Sequence, residues 1–184
     1  MRVSVATQPA ALHERAAALV GRDLADPPRV AGDSLADLLP PGVVPGTGWP
    51  QPNDLVGLAS SPRTLLIVVD GAVAGGTGPI GVPDEHGVLE IGYGIAAAYQ
   101  GRGVATTAVG MLCTRLFADP DVRAISAEML EGNAPSWLLV ERLGFDRQAT
   151  AERAGHRRYL LLRPALPDHP YGRASGRDVG RSAG

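Results

Sequence analysis

The stretch Gln100-Gly101-Arg102-Gly103-Val104-Ala105 puts two glycines and an arginine at the head of an amphipathic segment. Ala105, Ala108, Val109, Leu112 and Leu116 of that segment fall on one helical stripe. A glycine turn that opens a helix presents unpaired backbone N–H groups and the positive end of the helix dipole, which suits a pyrophosphate. Arg102 adds a full positive charge to that turn. Just upstream, residues 88–95 read V-L-E-I-G-Y-G-I. As a strand they set Leu89, Ile91, Tyr93 and Ile95 on one face and Val88, Glu90, Gly92 and Gly94 on the other. The second face is nearly bare, as expected where another molecule, such as a cofactor, approaches the backbone. Glu90 is the carboxylate on that face and a candidate general base.

Two cofactors fit this local pattern, and a plain strand-to-helix turn also produces it. A dinucleotide on a Rossmann unit would use Gly101-x-Gly103-x-x-Thr106, with Glu128 placed for a ribose hydroxyl. Against it, residues 96–99 separate the strand from the first glycine, and too few strand–helix units follow. Coenzyme A needs the same cradle and a strand edge for its pantetheine arm, which the Gly92/Gly94 face suits.

Composition removes other chemistries. All seventeen basic residues are Arg, and Lys does not occur in the 184 residues. Schiff-base chemistry on lysine, pyridoxal phosphate included, and a lysine-bearing phosphate loop are therefore excluded. Cys113 is the single cysteine, which rules out an intrachain disulfide and a cysteine-cluster zinc site. The four histidines are scattered without ligand spacing, so no metal is expected. A net charge of −2 without a basic block argues against nucleic acid as partner. No apolar run approaches the ~18 residues that span a bilayer. Met1-Arg2-Val3-Ser4 lacks a signal-peptide core, so a cytoplasmic protein without membrane contact is expected.

The elements that must position these residues are legible from patterning. Residues 3–6 read as an edge strand, with Thr7 as cap and Pro9 in the first turn of a helix carrying Leu12, Ala16, Leu19 and Val20 and stopping at Gly21. A short helix is expected after Asp33 (Leu35, Leu38, Leu39), then an irregular proline-rich loop over residues 40–53. Residues 64–69 and 72–78 form a hairpin about Asp70-Gly71. Residues 122–129 read as a strand, followed by a helix from Asn133 to Leu143 with Gly144 as its stop. Residues 147–153 and 157–163 suggest a second hairpin about Gly155-His156. The expectation is one α/β (α+β) domain over residues 1–163: a mixed, mostly antiparallel sheet of six to seven strands, helices on both faces and a central βαβ crossover. Residues 164–184 read as a Pro/Gly/Arg-rich tail.

An ordered set of motifs adds a resemblance. Glu90-Ile-Gly-Tyr-Gly-Ile95, Gln100-x-x-Gly103-x-Ala105, Asn133-x-x-Ser136 and Leu143-Gly144-Phe145 together resemble the GNAT superfamily of acetyl-CoA-dependent N-acetyltransferases. The branch most resembled contains the bacterial ribosomal-protein N-terminal acetyltransferases. The resemblance implies that the backbone around Gln100, Gly101, Arg102, Gly103, Val104 and Ala105 binds the pyrophosphate of acetyl-CoA as co-substrate. It implies that Ile95 and Ala96 bond the pantetheine amides, that a backbone N–H there stabilises the oxyanion, and that Asn133 and Ser136 lie near the pantetheine and sulfur. Strands 88–95 and 122–129 would splay into a slot for the thioester.

By the same resemblance an acetyl group passes directly to a primary amine, either a protein N-terminus or a small molecule, with Glu90 as base. Many members carry a Tyr at the position of Val140, and that departure leaves Ser136 to assist the thiolate. It also keeps open a catalytically silent acyl-CoA-binding or sensing module, with an NAD(P)-binding Rossmann oxidoreductase as a third reading. Asn133 reads as well as a helix cap. Tyr93 and Cys113 read as core, Glu128 as a strand-end carboxylate and His156 as a turn residue. Asp84, Glu85 and Glu90 hint at a cationic acceptor. Dimers are common in the superfamily, so a homodimer is a further expectation.

Overall fold

The computed structural model describes residues 1–20, 35, 37–47 and 52–164. Among these the chain order is β1 (Val3–Thr7), α1 (Ala10–Val20), β2 (Val44–Pro45), α2 (Pro52–Ser60), β3 (Leu65–Val69), β4 (Ala72–Ile80), β5 (Val88–Ile95), a 3-10 turn (Ala97–Tyr99), α3 (Val104–Leu116), β6 (Ala124–Leu130), α4 (Ala134–Arg142), β7 (Asp146–Arg147) and β8 (His156–Leu162). The strands form one eight-stranded sheet in the order β1-β3-β4-β5-β6-β8-β7, with β2 on the start of β4. Neighbours are antiparallel except β5–β6 and the two-residue β2–β4 pair. This mixed sheet lacks the doubly wound parallel core that a dinucleotide-binding oxidoreductase requires, and it overturns that reading.

The all-apolar run Leu65–Val69 is buried at every position because helices cover both of its faces. Leu66 and Val68 pack with Leu12 and Ala16 of α1 and Leu58 of α2. Ile67 and Val69 pack with Val104 and Ala108 of α3. Farther along the sheet, Leu89, Ile91, Ile125 and Ala127 pack under Val109 and Leu112 of α3 and Leu139 and Val140 of α4. Asp70 and Gly71 both take positive φ, as the tight hairpin requires. Ile67 faces Gly75 while Val68 faces Val73, so Ala74 is an extra residue that bulges β4.

Three expectations are corrected. Residues 40–53 are not uniformly irregular: Val44 and Pro45 pair with β4, and Pro52 opens α2. Proline at a helix start loses no internal hydrogen bond, so the Pro-rich composition did not forbid α2. Thr7 ends β1 rather than capping α1. The second hairpin has a short first arm, Asp146–Arg147, because residues 152 and 153 are drawn onto Glu128 instead of continuing the ladder. Of the helix expected after Asp33, Leu35 is helical and buried, and the amide of Leu38 donates to its carbonyl. Asp33, the stop at Gly21, Trp49 and residues 165–184 of the tail lie outside the described residues. No helix among the described residues is long and apolar enough to cross a membrane.

Arg163 closes the far end of the sheet. Its guanidinium donates to the carbonyls of Val122, Phe117 and Asp119, tying the end of β8 to the α3–β6 connection. Arg163→Ala is expected to cost about 2 kcal/mol, since charge-assisted bonds to carbonyls are lost together. The measurement is a urea midpoint that falls while the slope stays constant.

Candidate active site

The site forms where two parallel strands part company. β5 and β6 pair through Val88↔Ala124, Leu89↔Ile125, Glu90↔Ser126 and Ile91↔Ala127, and there the pairing ends. Beyond it β5 continues only on β4, as far as Ile95↔Gly75, and β6 only on β8, as far as Leu130↔His156. A slot opens between Gly92–Ile95 on one side and Glu128–Leu130 on the other.

At the top of β5, the 3-10 turn leads into Gln100, Gly101, Arg102 and Gly103. Gly101 and Gly103 have φ of +71° and +75°, and a Cβ on either would meet nothing within 4 Å. Gly103 is the N-cap of α3 and supplies no side-chain acceptor. The N–H groups of Val104, Ala105 and Thr106 therefore lack intrahelical partners by helix geometry. These amides without helical partners, the dipole and exposed Arg102 fit a pyrophosphate with no Cβ in the way. The Gln100 side chain donates to the carbonyl of Ile95 at 3.1 Å, bracing the turn on the strand. The N–H of Ala96 donates to Ala74 at 2.8 Å. That amide is consumed by the bulge, so it does not meet the expectation of a free donor for pantetheine or an oxyanion.

α3 packs against the Leu89/Ile91 face, so the bare glycine face lies on the opposite side of the sheet from the cradle. On that bare face Gly76 stands opposite Gly94, and Gly78 opposite Gly92. These four glycines floor a cavity of about 370 Å³, walled by Val56, Ser60 and Thr64. Gly78 must remain glycine, since a Cβ would lie 2.9 Å from the Thr64 Cα, whereas Gly94 faces open space. The sequence suggested that this face receives the cofactor. The structure roofs it with α2 and leaves room for a second molecule, because the helix that carries the cradle covers the other face.

Glu90, Ser126 and Glu128 project on the cavity side, next to this floor, since Ile125, Ala127 and Met129 of β6 belong to the core beneath α3 and α4. The Glu90 carboxylate is partly buried and takes the Nη2 of Arg153 at 3.0 and 3.2 Å. Glu90, with help from Glu128 and Glu152, holds the Arg153 guanidinium above its ordinary pKa. Glu128 accepts the backbone N–H groups of Arg153 (2.7 Å) and Glu152 (3.2 Å). Asp84, fully exposed in the β4–β5 loop, is held below the usual carboxylate range chiefly by the amide of Val88, with the amide of His86 adding to it.

Ser136 lies across the sheet from Glu90, in the first turn of α4. Asn133 caps that helix, its Oδ1 accepting the Ser136 amide at 3.4 Å. The Ser136 carbonyl accepts the Tyr93 hydroxyl at 3.1 Å, which ties the free end of β5 to α4. Val140 is fully buried in the core. Cys113 is also core, with burial pushing its thiol up to about 11. Among the described residues no group of three or more His, Cys, Asp or Glu gathers to hold a metal. The structure thus joins residues 100–105 into one turn and sets Ser136 and Glu90 on opposite sides of the slot. Sequence reasoning missed Arg153, read there as part of a strand, because no local pattern links residues 63 positions apart.

Burial pushes the Tyr93 phenol up to about 12 from 10.0, with the nearby Ser136 side chain opposing the shift. A raised phenol contributes stability that is complete below pH 10 and is lost as pH climbs through 12. Wild type should therefore lose about 1 kcal/mol per pH unit relative to Tyr93→Phe across that window. Urea titrations of both proteins on either side of pH 10 read this directly.

Residues 55–146, half of the chain, match the family model described as an acetyltransferase (GNAT) domain. YjdG of Bacillus subtilis (strain 168), an uncharacterized N-acetyltransferase, is 33% identical over 73 residues, covering 40% of this chain. The match spans 44% of YjdG, less than half its length. Among solved structures, the aminoglycoside acetyltransferase AAC(6')-Ib in complex with coenzyme A shares the fold at a TM-score of 0.56 and 18% identity. That match covers 88% of this chain and 95% of the other. An acetyltransferase (GNAT family) from Bacillus anthracis matches at a TM-score of 0.48 and 17% identity, over 55% of this chain and 66% of that one.

Proposed function

The chain belongs to the GNAT acetyltransferase family, and on that premise we propose that it moves the acetyl group of acetyl-CoA directly to a primary amine. The observation that carries this reading is the slot between β5 and β6, with an uncapped glycine turn on one face and a carboxylate-flanked cavity on the other. Acetyl-CoA, when bound, supplies an activated thioester. The N–H groups of Val104, Ala105 and Thr106, together with Arg102, hold its pyrophosphate, while Ile95, Asn133 and Ser136 flank the pantetheine arm. The amine enters over the Gly76/Gly78/Gly92/Gly94 floor.

Three proton and charge movements then fall to this chain's residues. An ammonium must lose a proton before its nitrogen lone pair can form the new N–C bond, and Glu90 takes that proton directly or through water. As the C–S bond breaks in the slot, the Ser136 hydroxyl donates a hydrogen bond to the leaving thiolate, and the second proton, which the nitrogen must lose to become an amide, passes through water to that sulfur. With the Ala96 amide committed to Ala74, the oxyanion depends on another donor at the slot. The acceptor is a protein N-terminus or a small amine, and the acidic surroundings of Glu90 favour a cationic one.

A second reading, a silent acyl-CoA-binding module, draws on the burial of Val140, which leaves no phenol at that position of α4. Thiol release from acetyl-CoA with a panel of amines separates the two. Turnover on at least one amine is expected, and tight CoA binding with no turnover on any amine favours the silent module. Glu90→Gln should lower kcat about a hundredfold; full activity in that variant removes Glu90 as the base.

The cradle has its own test. Gly103→Ala forces a Cβ into a left-handed conformation at a strain of about 1 kcal/mol. If the turn shifts to relieve it, the Kd for CoA rises about fivefold, measured by calorimetry.

A further inference from the structure

Glu90 and Glu128 bracket the point where β5 and β6 separate. Glu90 lies one register step before the last pair, Ile91↔Ala127, and Glu128 one step after it. Residues 152 and 153 cross over this point on the cavity side. Their backbone is anchored independently, through two amides on the Glu128 carboxylate, and Glu152 is further held by Arg158. The Arg153 side chain adds something that the anchoring does not need. It lays one nitrogen, Nη2, against both oxygens of Glu90, and the contacts found for its guanidinium stop at that one nitrogen. The side chain is about half exposed (49%). A single-nitrogen pair at the surface lacks the two-pronged geometry that makes arginine pairs strong, and it exchanges readily with other cations.

An amine arrives at neutral pH as a cation and must approach Glu90 if Glu90 is to take its proton. The position against both carboxylate oxygens is already filled by a cation of this chain, and two cations cannot share one carboxylate without repulsion. We infer that Arg153 is a specificity-determining residue: its guanidinium is a resident cation on Glu90 that an ammonium-bearing acceptor must displace. The inference rests on the reading of the cavity side as the acceptor side. It makes Arg153 a competitor of the substrate rather than a ligand for it, and it selects acceptors whose charge can take over the Glu90 carboxylate. The loop stays in place when Arg153 leaves, because Glu128 holds backbone amides and not the side chain.

The test uses Arg153→Ala, with Arg153→Gln as a second uncharged variant of nearly native length and Arg153→Lys as the charge-conserving control. With 1,4-diaminobutane as acceptor, both uncharged variants should show a KM about threefold lower, the scale of an exposed ion pair. Arg153→Lys should stay close to wild type. Guanidinium chloride raised to about 0.5 M, against sodium chloride at the same ionic strength, should refill the vacated position, giving shifts of the Glu90 and Ile91 amide resonances that approach saturation in Arg153→Ala and not in wild type. It should also compete with the diamine in that variant. A KM that does not fall in either uncharged variant, or a guanidinium titration as featureless in Arg153→Ala as in wild type, overturns the inference. The resonance titration needs no turnover. Saturation there with no amine acetylated by wild type would therefore count against the acetyl-transfer reading alone, whereas acetylation with unchanged Arg153 variants would count against the resident cation alone.

Discussion

The structure depends on one interruption of backbone hydrogen bonding, the end of the β5–β6 ladder after Ile91↔Ala127. Leaving strand backbone unpaired inside a domain is costly, since each N–H and C=O needs a partner. The cost is contained because each diverging strand keeps its outer neighbour: β5 runs on along β4, and β6 runs on along β8. The bulge at Ala74 supports the divergence from behind. It bends β4 and takes up the Ala96 amide, so that β5 is held to the end of its length before the chain turns into the 3-10 segment. On the face that α3 and α4 cover, the Tyr93 hydroxyl reaches the Ser136 carbonyl and links the same strand end to α4. The free end of β5 is therefore held both by β4 and by α4.

The glycines and the cradle take their meaning from that geometry. Gly92 and Gly94 lie on the part of β5 that has lost β6, and their cross-strand partners on β4 are Gly78 and Gly76. A bare patch four glycines in extent would weaken an ordinary strand pair. Here it forms the floor of a cavity beneath α2, while α3 presents its uncapped N-terminus from the opposite face. The cavity on one face and the uncapped helix start on the other meet only where the ladder has stopped.

A chain without lysine also distributes its positive charge in a particular way. The arginines act as planar, multi-donor groups. Arg163 gathers carbonyls at the end of β8, Arg157 lies 4.8 Å over the Trp137 ring, Arg158 pairs with Glu152, and Arg153 covers Glu90. Arg102 stays exposed at the glycine turn before α3. Glu90 and Glu152 each pair with a guanidinium, while Glu128 is occupied by backbone amides.

Much of this was written locally in the amino-acid order. The hairpin at Asp70-Gly71, the strand Val88–Ile95, the glycine turn before α3, and the Asn133 cap of α4 are each set by neighbours a few residues apart, because turn conformation, period-two burial and capping are short-range effects. Helix α2 and the pairing of Val44 and Pro45 escaped the same reading. Proline at a helix start or on a short edge contact breaks no hydrogen bond, so composition alone misleads there. Three things were decided only by packing in three dimensions: which face of β5 the cradle helix covers, what fills the position against Glu90, and where the β7–β8 segment leaves its ladder. Each turns on contacts between residues far apart in the chain, such as Glu90 with Arg153 and Glu128 with residues 152 and 153. Side-chain periodicity says that a strand has two faces. Only the packed helices say which molecule each face can meet.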